Sequence, residues 1–210
     1  MKKYLLVLIL TTATATVFAQ TVKFGIKGGL NFSNQAGDSY YSSLYTTGFN
    51  AGIFADFGLN NFSIRPGISI TTKGERFKAA TVDNNGSNAG AIATNLKLDY
   101  IEVTLNFLYH TAAAPDADIY FGGGPYFAYG VGGSISNSMT SYPVYFKNSN
   151  DPTTLNYKNP DIGVNIVAGV ILQKKLMIDA GYGLGLTSIS LGTASIQNRV
   201  ISLSVGYLFK

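Results

Sequence analysis

Cysteine and tryptophan are absent from this 210-residue chain, and histidine occurs once. Without cysteine there is no disulfide framework, no thiolate zinc site and no thiol nucleophile. A lone His110 leaves histidine-based metal centres and His-dependent triads almost nothing to work with. Charge is scarce as well: 12% of residues are Asp, Glu, Lys or Arg, against about 25% in an average soluble domain. With 46% hydrophobic residues beside so little charge, a disordered chain is excluded. Beyond the N-terminus no stretch approaches roughly 18 consecutive apolar residues, which excludes a helical membrane bundle.

What is present opens with the pattern expected of a leader. Met1-Lys2-Lys3 is a short cationic start, residues 4–10 (YLLVLIL) are apolar, and Val17-Phe18-Ala19 offers small residues for cleavage before Gln20. That order is the order of a secretory signal peptide, and the apolar run is too short for a spanning helix. The expected organisation is a signal peptide over 1–19 and one domain over 20–210. Removing Lys2 and Lys3 takes the formal charge from +4 to +2, and no basic run remains to hold nucleic acid.

The recurring period of the mature chain is two. Val22, Phe24, Ile26, Leu30 and Phe32 alternate with Lys23, Gly25, Lys27, Gly29 and Asn31. Phe49, Ala51, Ile53, Ala55, Phe57 and Leu59 follow, then Asn60-Asn61, then Phe62, Ile64, Pro66, Ile68 and Ile70, which reads as a hairpin. Further alternating runs cover 95–109, 118–132, 161–173, 176–187 and 199–209, for eight strands in all. Leu96, Leu98 and Tyr100 are out of phase with Ile101, Val103 and Leu105, so a bulge is expected near Tyr100. Connections at 60–61, 111–117 and 174–175 are short; those at 33–46, 74–94, 133–160 and 188–198 are long and rich in Ser, Asn, Thr, Gly and Tyr. Strict alternation of short and long connections is the pattern of outer-membrane barrels, with turns on one rim and outer loops on the other.

A soluble barrel also alternates, but its outer face meets water and carries plentiful charge. Here the less apolar face is mostly Gly, Ser, Thr and Asn, which suits a crowded lumen, and the apolar face is nearly free of charge. Charge facing lipid near the midplane costs about 2–4 kcal/mol, so a bilayer selects for that absence. Phe32, Tyr45, Phe57, Phe62, Tyr109, Phe121, Tyr207 and Phe209 fall near strand ends, as interfacial girdles require. The fold expected is all-β: an eight-stranded antiparallel up-and-down transmembrane β-barrel in the cell outer membrane.

Several segments carry a family likeness: VKFGIKGGLNFS (22–33), LDYIEVTLNFLYH (98–110), FGGGPYFAYG (121–130), DIGVNIVAGV (161–170), DAGYGLGLTSI (179–189) and the closing GYLF. Taken in order, they resemble the outer-membrane β-barrel domain family of porin-like and PorT-like proteins, which share a small barrel with the OmpX-type proteins. Thr104 stands where that family has proline, and Lys210 follows the terminal aromatic Phe209. The PorT-like relatives imply a component of an envelope protein-secretion machine as one alternative role, and a small channel is another.

An eight-stranded barrel is only wide enough for side chains to fill it. The inward set is expected to include Lys23, Lys27, Asp56, Arg65, Lys97, Asp99, Glu102, Asp179, Asn106, Asn165 and Tyr126. Lys27, Asp56, Arg65, Glu102 and Asp179 are the proposed lumen charge network, with Arg65 expected to pair with Glu102, since unpaired buried charge is costly. The glycines of 122–124 and 181–185 sit within strands with no helix following, so they relieve crowding instead of cradling phosphate. His110 is expected at a solvated rim, and the loop hydroxyls have no base nearby in sequence, so no catalytic, cofactor or metal residues are assigned and enzyme activity is not expected. The expected partners are outer-membrane lipid and, through loops 33–46, 74–94, 133–160 and 188–198, an extracellular protein or glycan.

Overall fold

The structure, a computed structural model, describes residues 21–37, 43–82, 88–146 and 155–209. The expected leader lies outside the described residues. Strands β1 (Thr21–Gly37), β2 (Thr46–Leu59), β3 (Phe62–Val82), β4 (Asn88–Ala114) and β5 (Ala117–Ser136) run up and down as a meander. Two short pieces, β6 (Ser141–Tyr145) and β7 (Leu155–Asn156), follow, and then β8 (Asp161–Leu172), β9 (Leu176–Gly185) and β10 (Ile196–Phe209). β5 pairs with both β4 and β8, and β10 pairs back onto β1, so each of the eight long strands has two antiparallel neighbours. The sheet closes with no free edge through the membrane-crossing part, and the fold is the expected eight-stranded barrel. Among the described residues no helix is long and apolar enough to cross a membrane; the crossing is made by strands.

Three tight turns share one rim. Asn60-Asn61 joins β2 to β3 with Asn60 at φ 53, and Gln173 to Lys175 joins β8 to β9 with Gln173 and Lys174 at φ 50 and 61. Positive φ at a hairpin turn matches the twist of the flanking strands. β4 runs on to Ala114, so the third connection is cut to Pro115-Asp116. At the other end the expected loops are partly strand. The stretch 74–94 is largely a β3–β4 hairpin, and 133–160 contains the end of β5 with β6 and β7. Each proline interrupts one ladder and spares the other. β2–β3 pairing skips Pro66 while Pro66 still opposes Leu105, and β4–β5 pairing skips Pro125 while Pro125 opposes Val164. Proline lacks a single N–H, and that N–H points at one neighbour alone.

The outer surface between the rims is apolar, with Ile53 at 60%, Val103 at 48% and Ile166 at 66% exposure. At the turn rim Phe62 meets Tyr109 edge-on at 5.2 Å, Tyr109 meets Phe121 at 5.5 Å, and Tyr207 meets Phe209 at 5.4 Å, as an aromatic girdle requires.

The bulge expected near Tyr100 is present in the β4–β5 ladder, but the phase change along β4 has a different cause. β3 and β4 stay in register from Phe62↔Tyr109 up to Thr81↔Gly90, so β4 itself is regular. Leu96, Leu98, Tyr100 and Glu102 all point inward, and Lys97 and Asp99, expected inside, point outward. The extra residue sits on the partner: Asp99 opposes Gly132 and Tyr100 opposes Gly130, which leaves Val131 unpaired on β5. What changes along β4 is the solvent. Below Tyr100 the outside is lipid and the apolar residues face out; above it the outside is water and they face in. Asp99 there accepts a 2.7 Å hydrogen bond from the Thr72 hydroxyl.

The interior is not uniformly polar. Phe54, Leu108, Tyr120, Ile171, Met177 and Leu208 form an apolar cluster in the turn-side half. Leu96, Leu98, Tyr100, Tyr126, Ala128, Val144 and Ile189 form another at the loop end, with Phe77, Ile135, Phe146, Tyr157 and Ile196 packed on it. Glycines make the necessary room. A Cβ on Gly163 would fall 2.5 Å from the Tyr126 ring, and one on Gly169 would fall 2.6 Å from the Tyr120 hydroxyl.

Candidate functional site

The lumen charges occupy three levels. At the turn side Asp56 and Arg65 face each other across β2 and β3. The Arg65 Nε and Nη2 groups both donate to Asp56 Oδ2, at 2.8 and 2.5 Å. The guanidinium lies over the rings of Tyr120 (4.5 Å) and Phe54 (5.1 Å) and donates to Met177 Sδ at 3.4 Å. Tyr120 in turn donates its hydroxyl to Asp179 Oδ2 at 3.0 Å. A cation stripped of water here is held by one carboxylate and two aromatic faces.

The middle level is polar and loosely packed. Asn31 donates to Thr71 Oγ1 at 2.8 Å, Asn50 donates to Asn31 Oδ1 at 2.8 Å, and Ser204 donates to Asn50 Oδ1 at 3.1 Å. A chamber of about 70 Å³ lies beside them, lined among others by Lys27, Asn106, Asn165 and Asp179. Lys27 makes no ion pair among the described residues, and the buried Asn106 Oδ1 has no hydrogen-bond partner there. The chamber is polar and large enough for water to satisfy both.

The loop-side level is centred on Lys73, a residue absent from the set expected on sequence. Its ammonium donates to Glu102 Oε2 at 2.7 Å and to Asp161 Oδ2 at 3.0 Å, and it lies over the rings of Tyr126 (4.1 Å) and Tyr100 (5.2 Å). Asp161, with no exposed surface, also accepts from the Tyr126 hydroxyl at 3.0 Å and from Asn198 Nδ2 at 2.9 Å. Five strands therefore contribute to one knot: β3, β4, β5, β8 and β10. The expected Arg65–Glu102 pair does not form; Arg65 turns to Asp56 and Glu102 to Lys73. Lys27, Asp56, Arg65, Glu102 and Asp179 all face the lumen, spread over the three levels. The signal that could have found Lys73 is its period-two phase with Arg65, Ser69 and Thr71. For Asp161 it is the phase shared with Gly163 and Asn165.

His110 is half-buried at the turn rim, where it lines a crevice with Asp56 and Ser63. Its Nε2 lies 2.8 Å from Ser63 Oγ and its ring is 5.6 Å from that of Tyr120. Sequence distance hid this serine–histidine contact. Among the described residues no cluster of His, Asp or Glu could hold a metal ion.

Above the knot, the described segments of the outer loops are bonded to one another and to the barrel. Tyr157 N donates to Tyr145 O at 3.0 Å, Lys158 N to Ile189 O at 2.8 Å, and Ile189 N to Ile196 O at 2.9 Å. The Asn159 amide pairs with both backbone groups of Gly130, accepting at 2.6 Å and donating at 3.0 Å, and so stands in for the next strand. Thr187 Oγ1 donates to Pro160 O and accepts from Ile162 N. Val144 and Ile189, both buried, carry these loops into the apolar cluster. The loop surface above is rich in exposed apolar and aromatic groups, including Met139, Tyr142, Tyr145 and Leu191.

The sequence model of the family described as "Outer membrane protein beta-barrel domain" matches residues 18–191. No curated protein matches the chain. Among solved structures, Neisserial surface protein A is 16% identical, with 90% of this chain and 99% of that chain covered at a TM-score of 0.48. OprG from Pseudomonas aeruginosa is 11% identical, with 90% and 97% covered at 0.48. Ail, the attachment invasion locus protein of Yersinia pestis, is 14% identical, with 89% and 98% covered at 0.42.

Proposed function

Since the chain belongs to the outer-membrane β-barrel domain family and resides in the cell outer membrane, we propose that it works as a side-chain-filled barrel whose role is interaction through its outer loops. The observation that carries this reading is the contrast between a blocked interior and a built exterior. The lumen holds an apolar cluster and an ion pair at the turn side and a five-strand knot under a second apolar cluster at the loop end. The loops above are tied to each other by backbone bonds and to the barrel by the Asn159 side chain, which pre-organises their surface for a partner. No arrangement of nucleophile, base and orienting group accompanies Ser63 and His110 among the described residues, so the reading assigns no catalysis.

The experiment is surface display of the protein in its native envelope, with loop residues exchanged one at a time. Loop exchanges such as Tyr142→Ser and Met139→Ser should abolish adhesion to a partner surface or capture of an extracellular protein while leaving barrel stability unchanged. If crosslinking instead recovers an envelope protein in fixed ratio and loop exchanges have no effect, a secretion-machine component is the better reading. Export through a leader over 1–19 belongs to the same proposal; the mass of the mature protein should begin at Gln20.

A further inference from the structure

The loops leave one crevice that is neither lipid-facing wall nor lumen. It measures about 600 Å³ and is lined by Tyr129, Phe146, Tyr157, Lys158, Asn159 and Ser190 among others. That volume falls in the range of small-ligand sites, roughly 300–1,000 Å³. Its walls come from three places: Tyr129 from β5, Phe146, Tyr157, Lys158 and Asn159 from the segment between β5 and β8, and Ser190 from the loop between β9 and β10. Phe146 is set edge-on against the buried Tyr100 at 5.2 Å and tilted against Tyr157 at 6.3 Å. The Lys158–Ile189 backbone bond joins the two segments that line the crevice, and the Asn159 amide is bonded to both backbone groups of Gly130. These bonds hold the described segments of the crevice together.

The free groups in this crevice have a particular chemistry. Among the described residues the phenols of Tyr129 and Tyr157 have no hydrogen-bond partner, and Lys158 has no acidic partner. Burial, reinforced by the nearby Glu75 carboxylate, pushes the Tyr157 phenol up, so it remains a donor at any physiological pH. Three aromatic rings alone would suit a quaternary cation, but the unpaired ammonium beside them repels one. A purely apolar segment is equally poor, because it would strand two phenols and an ammonium. Rings offering an apolar face with polar edges, next to a free cation, match a sugar ring that carries a negative group.

We propose that this crevice is a binding site for an acidic saccharide, its ring against Tyr129, Phe146 and Tyr157 and its carboxylate or phosphate on Lys158. The proposal rests on the reading that the outer loops carry the function and names a ligand class for it. Tyr129 belongs to the outward-facing row of β5 that includes Phe127 and Val131. The crevice thus opens where both free glycans and the sugar headgroups of outer-leaflet glycolipids are within reach, and the two sources share the required chemistry.

The test uses the full mature chain in phospholipid nanodiscs free of glycolipid. A glucuronic-acid-containing disaccharide and its neutral glucose counterpart are titrated by calorimetry, and tyrosine fluorescence gives a second readout in a chain without tryptophan. The acidic sugar should bind about tenfold more tightly than the neutral one. Lys158→Gln should erase that preference and leave the neutral sugar unaffected, whereas Tyr129→Leu should weaken both. Nanodiscs doped with lipopolysaccharide should lose the response to added disaccharide if the glycolipid is the source, and keep it if a free glycan is. Equal binding of the two sugars, no binding, or an unchanged preference in Lys158→Gln would overturn the proposal. If binding fails while Tyr142→Ser or Met139→Ser still abolishes surface interaction, the crevice assignment alone falls.

Discussion

The lumen is closed at both ends, but by different means. At the turn side, Asp56 and Arg65 sit on adjacent strands β2 and β3 and meet across one hairpin, with two aromatic rings completing the shell around the guanidinium. At the loop side, Lys73 gathers Glu102 from β4 and Asp161 from β8, while Tyr126, Asn198 and Tyr100 reach in from β5, β10 and β4. The first pair can form as soon as its hairpin does. The second exists only once the sheet has closed. The local pair also borders a crevice of about 500 Å³ at the turn rim, lined by Asp56, Ser63 and His110, so water is near. Asp161 is fully buried and Lys73 is 3% exposed. An equal mutation at the two ends should therefore not cost the same.

The largest effect is expected at Lys73. Lys73→Met strands two carboxylates in the lumen, that of Asp161 fully buried, and should destabilise by about 3–5 kcal/mol, read as a lowered urea midpoint for unfolding from lipid bilayers. Adding Asp161→Asn should recover part of the loss, because the stranded charge is then smaller. A midpoint for Lys73→Met equal to that of the unmodified protein would show that the knot contributes nothing to closure.

Next in size come the lipid-facing positions, which set the scale for any lumen effect. Val103→Arg and Ile166→Arg each place a charge on the outer apolar band and should impair insertion by about 2–4 kcal/mol. Partition of the refolded variants between membrane and aqueous fractions measures this. Arg65→Met should cost no more than these, at about 2–3 kcal/mol, since it leaves the single carboxylate of Asp56 beside the rim crevice. If Arg65→Met costs as much as Lys73→Met, the difference between a local pair and a cross-barrel knot has no energetic content.

Much of this was legible in the sequence, and the remainder shows where reading by period stops. Alternation gives face, so Lys27, Asp56, Arg65, Glu102 and Asp179 can be placed inside without a structure. It gives no stagger, and partners across a barrel are fixed by the shear of the closed sheet. Period alone therefore sends Glu102 to Arg65, when its cation is Lys73, further along the same strand β3. For Asp161, which opens its strand, period gives the inward face but not the partner, because it meets Lys73 only across the closed lumen. The second limit is solvent. Period two keeps one meaning only while the outside stays lipid. Above Tyr100 the outside is water, so Leu96 and Leu98 reverse their meaning without any bulge in that strand. Phe54, Leu108 and Met177 are hidden for a related reason. A mostly polar inward row tolerates large apolar members where a facing glycine, such as Gly25 under Phe54, leaves space.

A smaller effect separates the two charge clusters directly. Glu102→Gln leaves Lys73 with Asp161, so its cost should be about 1.5–2 kcal/mol, the loss of one charge-assisted bond. Combined with Lys73→Met it should be strongly non-additive, because the two share a contact. Combined with Arg65→Gln it should add within about 0.3–0.5 kcal/mol, since the two have no partner in common. Urea midpoints for the single and double variants decide this, and a coupling between Glu102 and Arg65 as large as that between Glu102 and Lys73 would contradict the observed pairing.

The smallest expected signal is ionic current, and here the two closures act together. A solute entering from the turn rim meets Arg65 with Phe54, Tyr120 and Met177 around it; beyond the middle chamber it meets Lys73 held by Glu102 and Asp161, and then the apolar cluster of Leu96, Leu98, Val144 and Ile189. The chamber between them is polar and measures only about 70 Å³. Conduction needs a continuous water column, and narrow lumens filled by paired side chains do not provide one. Purified protein in planar bilayers should therefore show no steady single-channel current. Arg65→Ala alone should remain silent, because the knot and its apolar cover stay in place, and Lys73→Ala alone should remain silent for the converse reason. Steady openings in the unmodified protein would refute the closed barrel, and openings in Arg65→Ala would show that the loop-side closure does not seal.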